Sequence, residues 1–237
     1  MNKFYRKVSV LTAMAVAGCI GSVNAQFVVF NNGAEVTVSQ GCIVTILTGD
    51  LDNSAGTIDN SGRISVDGTL TNDDEITGGG GNTAIFNVGG NWVNNNTFVA
   101  DQSLVNLNGA AQSITGSSVT SFYNLNLLGS GIKSLGIDAE VAGTLSLNNL
   151  ELATQANTMR ILNTATTAVG QTGGFVSSAL GGRLSWDMNS TNTYVFPLGS
   201  SVGTPRIRPL AITPASSSAN TFAARMANVD ATTEGFD

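Results

Sequence analysis

The chain of 237 residues has no histidine, two cysteines, four prolines and only 11% charged residues. The missing histidine excludes Ser-His-Asp and Cys-His nucleophile systems and every His-ligated zinc site. Basic residues are few: ten Lys+Arg stand against sixteen Asp+Glu, with no basic cluster. Nucleic acid and anionic lipid surfaces are therefore poor partners. No window of a dozen residues after Ala25 carries a 3.6-residue apolar period with caps, so no amphipathic helix is expected.

The amino end has its own grammar. "MNKFYRK" is basic, Val8 to Ile20 is apolar but too short to span a bilayer, and "GSVNAQ" offers Val23 and Ala25 before a cut. Residues 1–25 are expected to be a signal peptide, and no membrane-spanning segment is expected in the mature chain. Within it "VAGC" (16–19) resembles the lipobox of bacterial lipoproteins, so a lipid anchor at Cys19 is the competing outcome. Removing residues 1–25 takes away three basic residues and no acid, leaving a net charge of −9. Cys42 then stands alone, no intrachain disulfide can form, and the core must supply the stability.

What the remainder has is alternation. "EVTVS", "RISVDGTLT", "AIFNV", "SLVNLN", "YNLNLL" and "GTLSLN" each alternate apolar and polar residues between Gly, Asn, Asp or Ser. These are short strands with turn punctuation, and the fold class is all-β. "VDGTLTN" (66–72), "VGGNWVN" (88–94) and "VAGTLSLN" (141–148) repeat a pattern at intervals of 22 and 53 residues. Such spacing predicts a right-handed parallel β-helix, a solenoid, rather than a β-sandwich of two antiparallel sheets. The expectation is six to eight coils of about 22 to 27 residues, a rod of roughly 30–35 Å, with Val66, Leu70, Val88, Trp92, Val141 and Leu145 inside. "NNG" (31–33), "DNS" (52–54, 59–61), "TND" (71–73), "NNN" (94–96) and "LNN" (147–149) fall between strands. They are read as corners, where Asn tolerates left-handed backbone angles and stacked amides can bond as a ladder.

"NGAAQSITGSSVTSFYNLNLLGSGI" (108–132), with Gln112, Ile114, Gly116, Phe122, Asn124 and Leu125, resembles a unit of exported Bacteroidota proteins. "TYVFPLGSS" (193–201) and "PRIRPLAIT" (205–213) resemble the stretch that follows the β-helical part in that group. The resemblance covers most of residues 27 to 213. It implies type IX secretion, a β-helical stalk and β-sandwich modules towards the carboxyl end. A departure is that no sorting module follows residue 213, which suggests a piece of a longer protein. The expected organisation is a signal peptide (1–25), a solenoid (26–188) and a carboxyl-terminal β module, incomplete (189–237). The last boundary falls near "DMNSTN", before the chain's four prolines.

Few residues invite chemistry. Counted from Asp50, an EF-hand would need glycine at the sixth position and glutamate at the twelfth, where Ala55 and Ser61 stand. Asp73, Asp74 and Glu75 are adjacent, so on a strand they alternate faces and cannot all reach one ion. No metal, cofactor or catalytic site is assigned. A polysaccharide lyase or hydrolase would need carboxylates aligned on one sheet with a cation nearby; the candidates are Asp67, Asp101 and Asp138 with Arg63 or Lys133. Trp92 and Trp186 could stack on sugars but are read as core plugs. The expected function is an exported, cell-surface or secreted, structural or adhesin-like solenoid without catalysis. A carbohydrate-active enzyme and a carbohydrate-binding module are the alternatives. Surface glycans or other envelope proteins are the expected partners.

Overall fold

The structure, a computed structural model, describes residues 27–80 and 84–227. The leader, both candidate cut sites and the last ten residues lie outside that range. Every regular element described is a strand. Alternation explains why: within Arg63–Val66, Ile85–Val88 and Asn124–Leu127 every second side chain is buried, the pattern of a sheet with one face on a core.

The strands wind as a parallel β-solenoid of about seven turns with three sides. The first side stacks Leu70–Asn72, Trp92–Asn94, Gln112–Thr115, Lys133–Leu135, Glu151–Ala153 and Phe175–Ser177. Two long strands, Phe27–Val38 and Gly49–Asn60, pair in parallel and run over the corner from the first side to the third without a break. Glu75–Thr77 and Thr97–Val99 continue the stack on the third side. Thr120–Phe122, Ala139–Val141, Thr158–Ile161 and Arg183–Met188 then extend it. The second side holds seven strands, from Ile43–Ile46 to Val169–Gln171.

The core is a set of columns. Leu70, Trp92, Ile114 and Leu135 stack in register on the first side. Val66, Val88, Leu107 and Leu127 do so on the second. Phe122, Val141, Ile161 and Trp186 do so on the third. All six residues expected inside are buried, none more than 2% exposed. At mid-rod, Phe86, Trp92, Phe98 and Phe122 pack with ring centroids 4.9 to 6.1 Å apart, mostly edge to face.

Two expectations need correction. Coil length varies more than anticipated and reaches below the expected range: Leu51 pairs with Leu70, 19 residues on, Trp92 with Ile114, 22 on, and Ile161 with Trp186, 25 on. The reason is that corners are tight; Tyr123 alone separates the third-side strand Thr120–Phe122 from the second-side strand Asn124–Leu127. Among the described corner asparagines only Asn148, in "LNN", serves by left-handed backbone, with φ of +51°. Among the described non-glycine residues only Thr48, Asp101, Asn148 and Gln155 have positive φ. Asn31, Asn53, Asn72 and Asn94 hold their corner through the side chain. Parallel stacking gives way at the carboxyl end, where Asn220–Ala224 pairs antiparallel with Arg183–Met188, and Leu210–Ile212 antiparallel with Tyr194–Phe196.

Candidate functional site

The corner between the first and third sides carries the largest buried polar array. At this corner four successive coils place an asparagine in the inward phase, Asn31 and Asn53 within the two long strands and Asn72 and Asn94 at strand ends. Asn31 Nδ2 donates to Asn53 Oδ1 (2.8 Å), Asn53 Nδ2 to Asn72 Oδ1 (3.0 Å) and Asn72 Nδ2 to Asn94 Oδ1 (2.9 Å). Asn53, Asn72 and Asn94 are fully buried. Free Nδ2 hydrogens go to carbonyls across the turn, Asn53 to Glu75 O and Asn72 to Thr97 O, which pins the third-side strand to the first. The ladder stops at Asn94, whose Nδ2 is buried without a partner. Gly116 lies over it with φ of +124°, and a Cβ there would sit 1.9 Å from Asn94 O. Only glycine fits both constraints.

A second amide row runs along the outer surface of the second side. Asn87 donates to Ser65 Oγ (2.9 Å), Asn106 to Asn87 (2.8 Å), Asn126 to Asn106 (3.1 Å) and Asn148 to Asn126 (2.7 Å). From Ser65 to Asn126 equivalent positions repeat once per coil, so each amide meets its successor as in stacked fibrils, and Asn148 reaches back from two residues beyond the register position held by Ser146.

The carboxylates considered for catalysis are not together. Asp67 lies at the turn from the second to the first side, where Oδ2 accepts the Thr48 N–H (3.2 Å). Asp101 lies at the turn from the third to the second side and accepts the Gly80 N–H (2.9 Å). Asp138 lies between the first and third sides and accepts the Thr158 N–H (2.7 Å). Three corners hold three carboxylates, each bonded to a backbone N–H of a neighbouring coil. Arg63 is exposed at the start of a second-side strand, beside an open hollow of about 520 Å³ that it lines with Gln40, Cys42, Ile43 and Ile85.

Lys133 is fully buried, which removes it as a surface cation. Its Nζ donates to Gly109 O (2.9 Å), Ser130 O (3.1 Å), Ala110 O and Gln112 Oε1 (2.8 Å). All four acceptors are uncharged. Burial without an acid partner pushes the ammonium down to about 8. Gln112, one coil below in register, in turn accepts the Gly109 N–H and donates to Val88 O and Gly90 O. Together they plug the corner entering the first side. Sequence reasoning missed this pair, although Gln112 and Lys133 share the inward phase of Ile114 and Leu135.

The acidic segments are likewise tied into the turns. Asp50 Oδ1 accepts the Thr69 N–H, Asp59 accepts Thr77 Oγ1, Asp74 accepts the Gly56 N–H, and Asp73 accepts Asn95 Nδ2. Asp52 keeps one buried oxygen without a partner; burial, and then the charge of Asp73, raise its carboxyl above the usual range. Among the described residues no three His, Cys, Asp or Glu gather so as to hold a metal ion. Trp92 and Trp186 are fully buried, their indole N–H groups bonded to Thr120 Oγ1 and Asn163 O. Neither can stack on a sugar. No described helix is long and apolar enough to cross a membrane, which says nothing of a β-barrel. No family model, curated protein or solved structure matches the chain.

Proposed function

We propose that this chain is an exported, non-catalytic rod: a structural or adhesin-like solenoid of the cell surface or the extracellular space. The observation that carries the reading is the use made of its polar groups. Asp67, Asp101 and Asp138 lie at three separate corners, each engaged with a neighbouring coil's N–H. The aromatic residues that a saccharide cleft would need, Trp92 and Trp186, are inside. What remains outside is sheet faces, the second side with its row Thr45, Ser65, Asn87 and Asn106 and the third with the ion-paired Glu140, Arg160 and Asp187, suited to presenting surface to glycans or other envelope proteins. Export rests on the basic, apolar and small-residue order of residues 1–25, and the type IX route on the resemblance of segments 108–132, 193–201 and 205–213.

The test is fractionation of the producing cells, with protease added to intact cells, alongside a reducing-sugar assay of the purified protein on a polysaccharide panel. Protease-accessible protein at the surface or in the medium, with no sugar release, supports the reading. Retention in the cytoplasm defeats the exported rod, and sugar release abolished by Asp67→Asn, Asp101→Asn or Asp138→Asn replaces it with an enzyme.

A further inference from the structure

The two ends of the rod are finished differently. At the carboxyl end the chain lays its own strands over the last coil: Asn220–Ala224 covers Arg183–Met188, and Leu198 bridges to Val176. At the amino end nothing among the described residues pairs with the outer edge of Phe27–Val38 or of Ile43–Ile46. That first coil carries seven exposed large apolar residues: Phe27, Val28, Phe30 and Val36, then Ile43, Val44 and Leu47. Of the devices that usually guard an edge it has the register break at Asn31–Ala34, where the strand rounds the corner, but no lysine, proline or inward charge. Residues 27–47 hold one charged side chain, Glu35, in a chain of net charge −6.

We propose that this end is an interface with a second copy of the same chain, the two rods meeting head to head about a two-fold axis. A bare strand edge is satisfied by another strand, and an antiparallel pairing of 27–38 with itself is self-complementary by symmetry. The edge that matches on all three sides is the same edge of a second molecule, because at the opposite end the first and third sides are covered by the chain's own strands and only Val169–Gln171 of the second side keeps an open edge among the described residues. Charge favours the same choice. Two acidic rods repel least where they carry almost no charge, and a two-fold axis near Asn32 and Gly33 sets each Glu35 opposite the partner's apolar strand start rather than the other Glu35.

Sedimentation velocity of the full chain from about 1 to 100 µM tests this, with Val28→Glu/Phe30→Glu, which sets a carboxylate against the partner's Glu35, as the edge variant and Leu180→Glu as the control. Both edge side chains are exposed, and Leu180 is exposed at a turn among the last coils, so circular dichroism should be unchanged in all three proteins. The proposal expects a dimer in the parent and in the control, with the dissociation constant raised at least tenfold in the edge variant. A parent that stays monomeric throughout overturns it, whether residues 1–26 or an unrelated chain covers the edge. A dimer indifferent to the edge variant overturns it too.

Discussion

Replacing Asn72 by alanine removes the middle of the inner ladder and tests whether buried amides, rather than apolar columns alone, hold the coils together. Asn72 accepts from Asn53 (3.0 Å) and donates to Asn94 Oδ1 (2.9 Å) and Thr97 O (2.8 Å). Asn53 Nδ2 keeps its bonds to Gly56 O and Glu75 O, so that donor is not stranded. Asn94 fares worse. Its Nδ2 already lacks a partner, and the substitution strips its Oδ1 as well, leaving a fully buried amide with no ladder contact. A stranded buried acceptor costs about 1–3 kcal/mol, and each lost bond adds roughly 0.5–1.5 kcal/mol net. The expected loss is about 2–4 kcal/mol. Asn95, one residue further along the rim, bonds through its side chain to Asp73 and to the Ser117 N–H at the surface. Asn95→Ala should cost about 1 kcal/mol or less. Urea titrations followed by circular dichroism measure both, with hydrogen exchange at Leu70 and Trp92 reporting whether neighbouring coils open first. If Asn72→Ala lies within about 0.5 kcal/mol of the parent, or costs less than Asn95→Ala, the ladder is decoration and the reasoning fails.

Other outcomes follow from the same contacts. Leu145→Asp places a carboxylate in a fully buried column and should cost more than about 4 kcal/mol, a loss visible as a collapsed thermal transition. Lys133, held near 8 when folded against 10.5 when free, binds its proton less tightly in the native state. Stability should therefore rise by about 2–3 kcal/mol as pH increases from roughly 7.5 to 10, and level off below about 8. In Lys133→Met that slope should vanish, as urea midpoints across the pH series would reveal. Asp52→Asn should stabilise the protein at pH 7, since it removes a raised carboxyl with an unpartnered oxygen. Its advantage should shrink as pH falls and the parent's Asp52 becomes protonated.

The solenoid was legible because two periods coincide in the sequence. Alternation of two marks each strand, and "VDGTLTN" and "VGGNWVN" return one coil apart, so the spacing alone assigns Leu70 and Trp92 to one column, where they pair in register. The asparagine ladder was legible too, since amides at equivalent corners must meet once per coil. Its depth was not. Asn72 and Asn94 share the inward phase with Leu70 and Trp92, yet a polar residue beside a turn reads as exposed unless that phase is carried into the corner. Lys133 was misplaced for the same reason: charge outweighed phase. Asp67, Asp101 and Asp138 could not be assigned to corners because turn lengths vary from coil to coil, and a shift of one residue moves a side chain from one face to the other.

The stacking itself is most directly tested by distance. With Cys19 and Cys42 replaced by serine, spin labels are placed at Thr45 and Asn106, and in a second protein at Thr45 and Ser146. Both pairs lie on the outer row Thr45, Ser65, Asn87, Asn106, Asn126 and Ser146. Three coils separate the first pair and five the second, so at about 4.8 Å per coil the separations should be roughly 14 and 24 Å before label length is added. Dipolar spectroscopy showing the second distance longer by about 10 Å supports a rod of stacked parallel coils. Distances that do not grow with coil number contradict it.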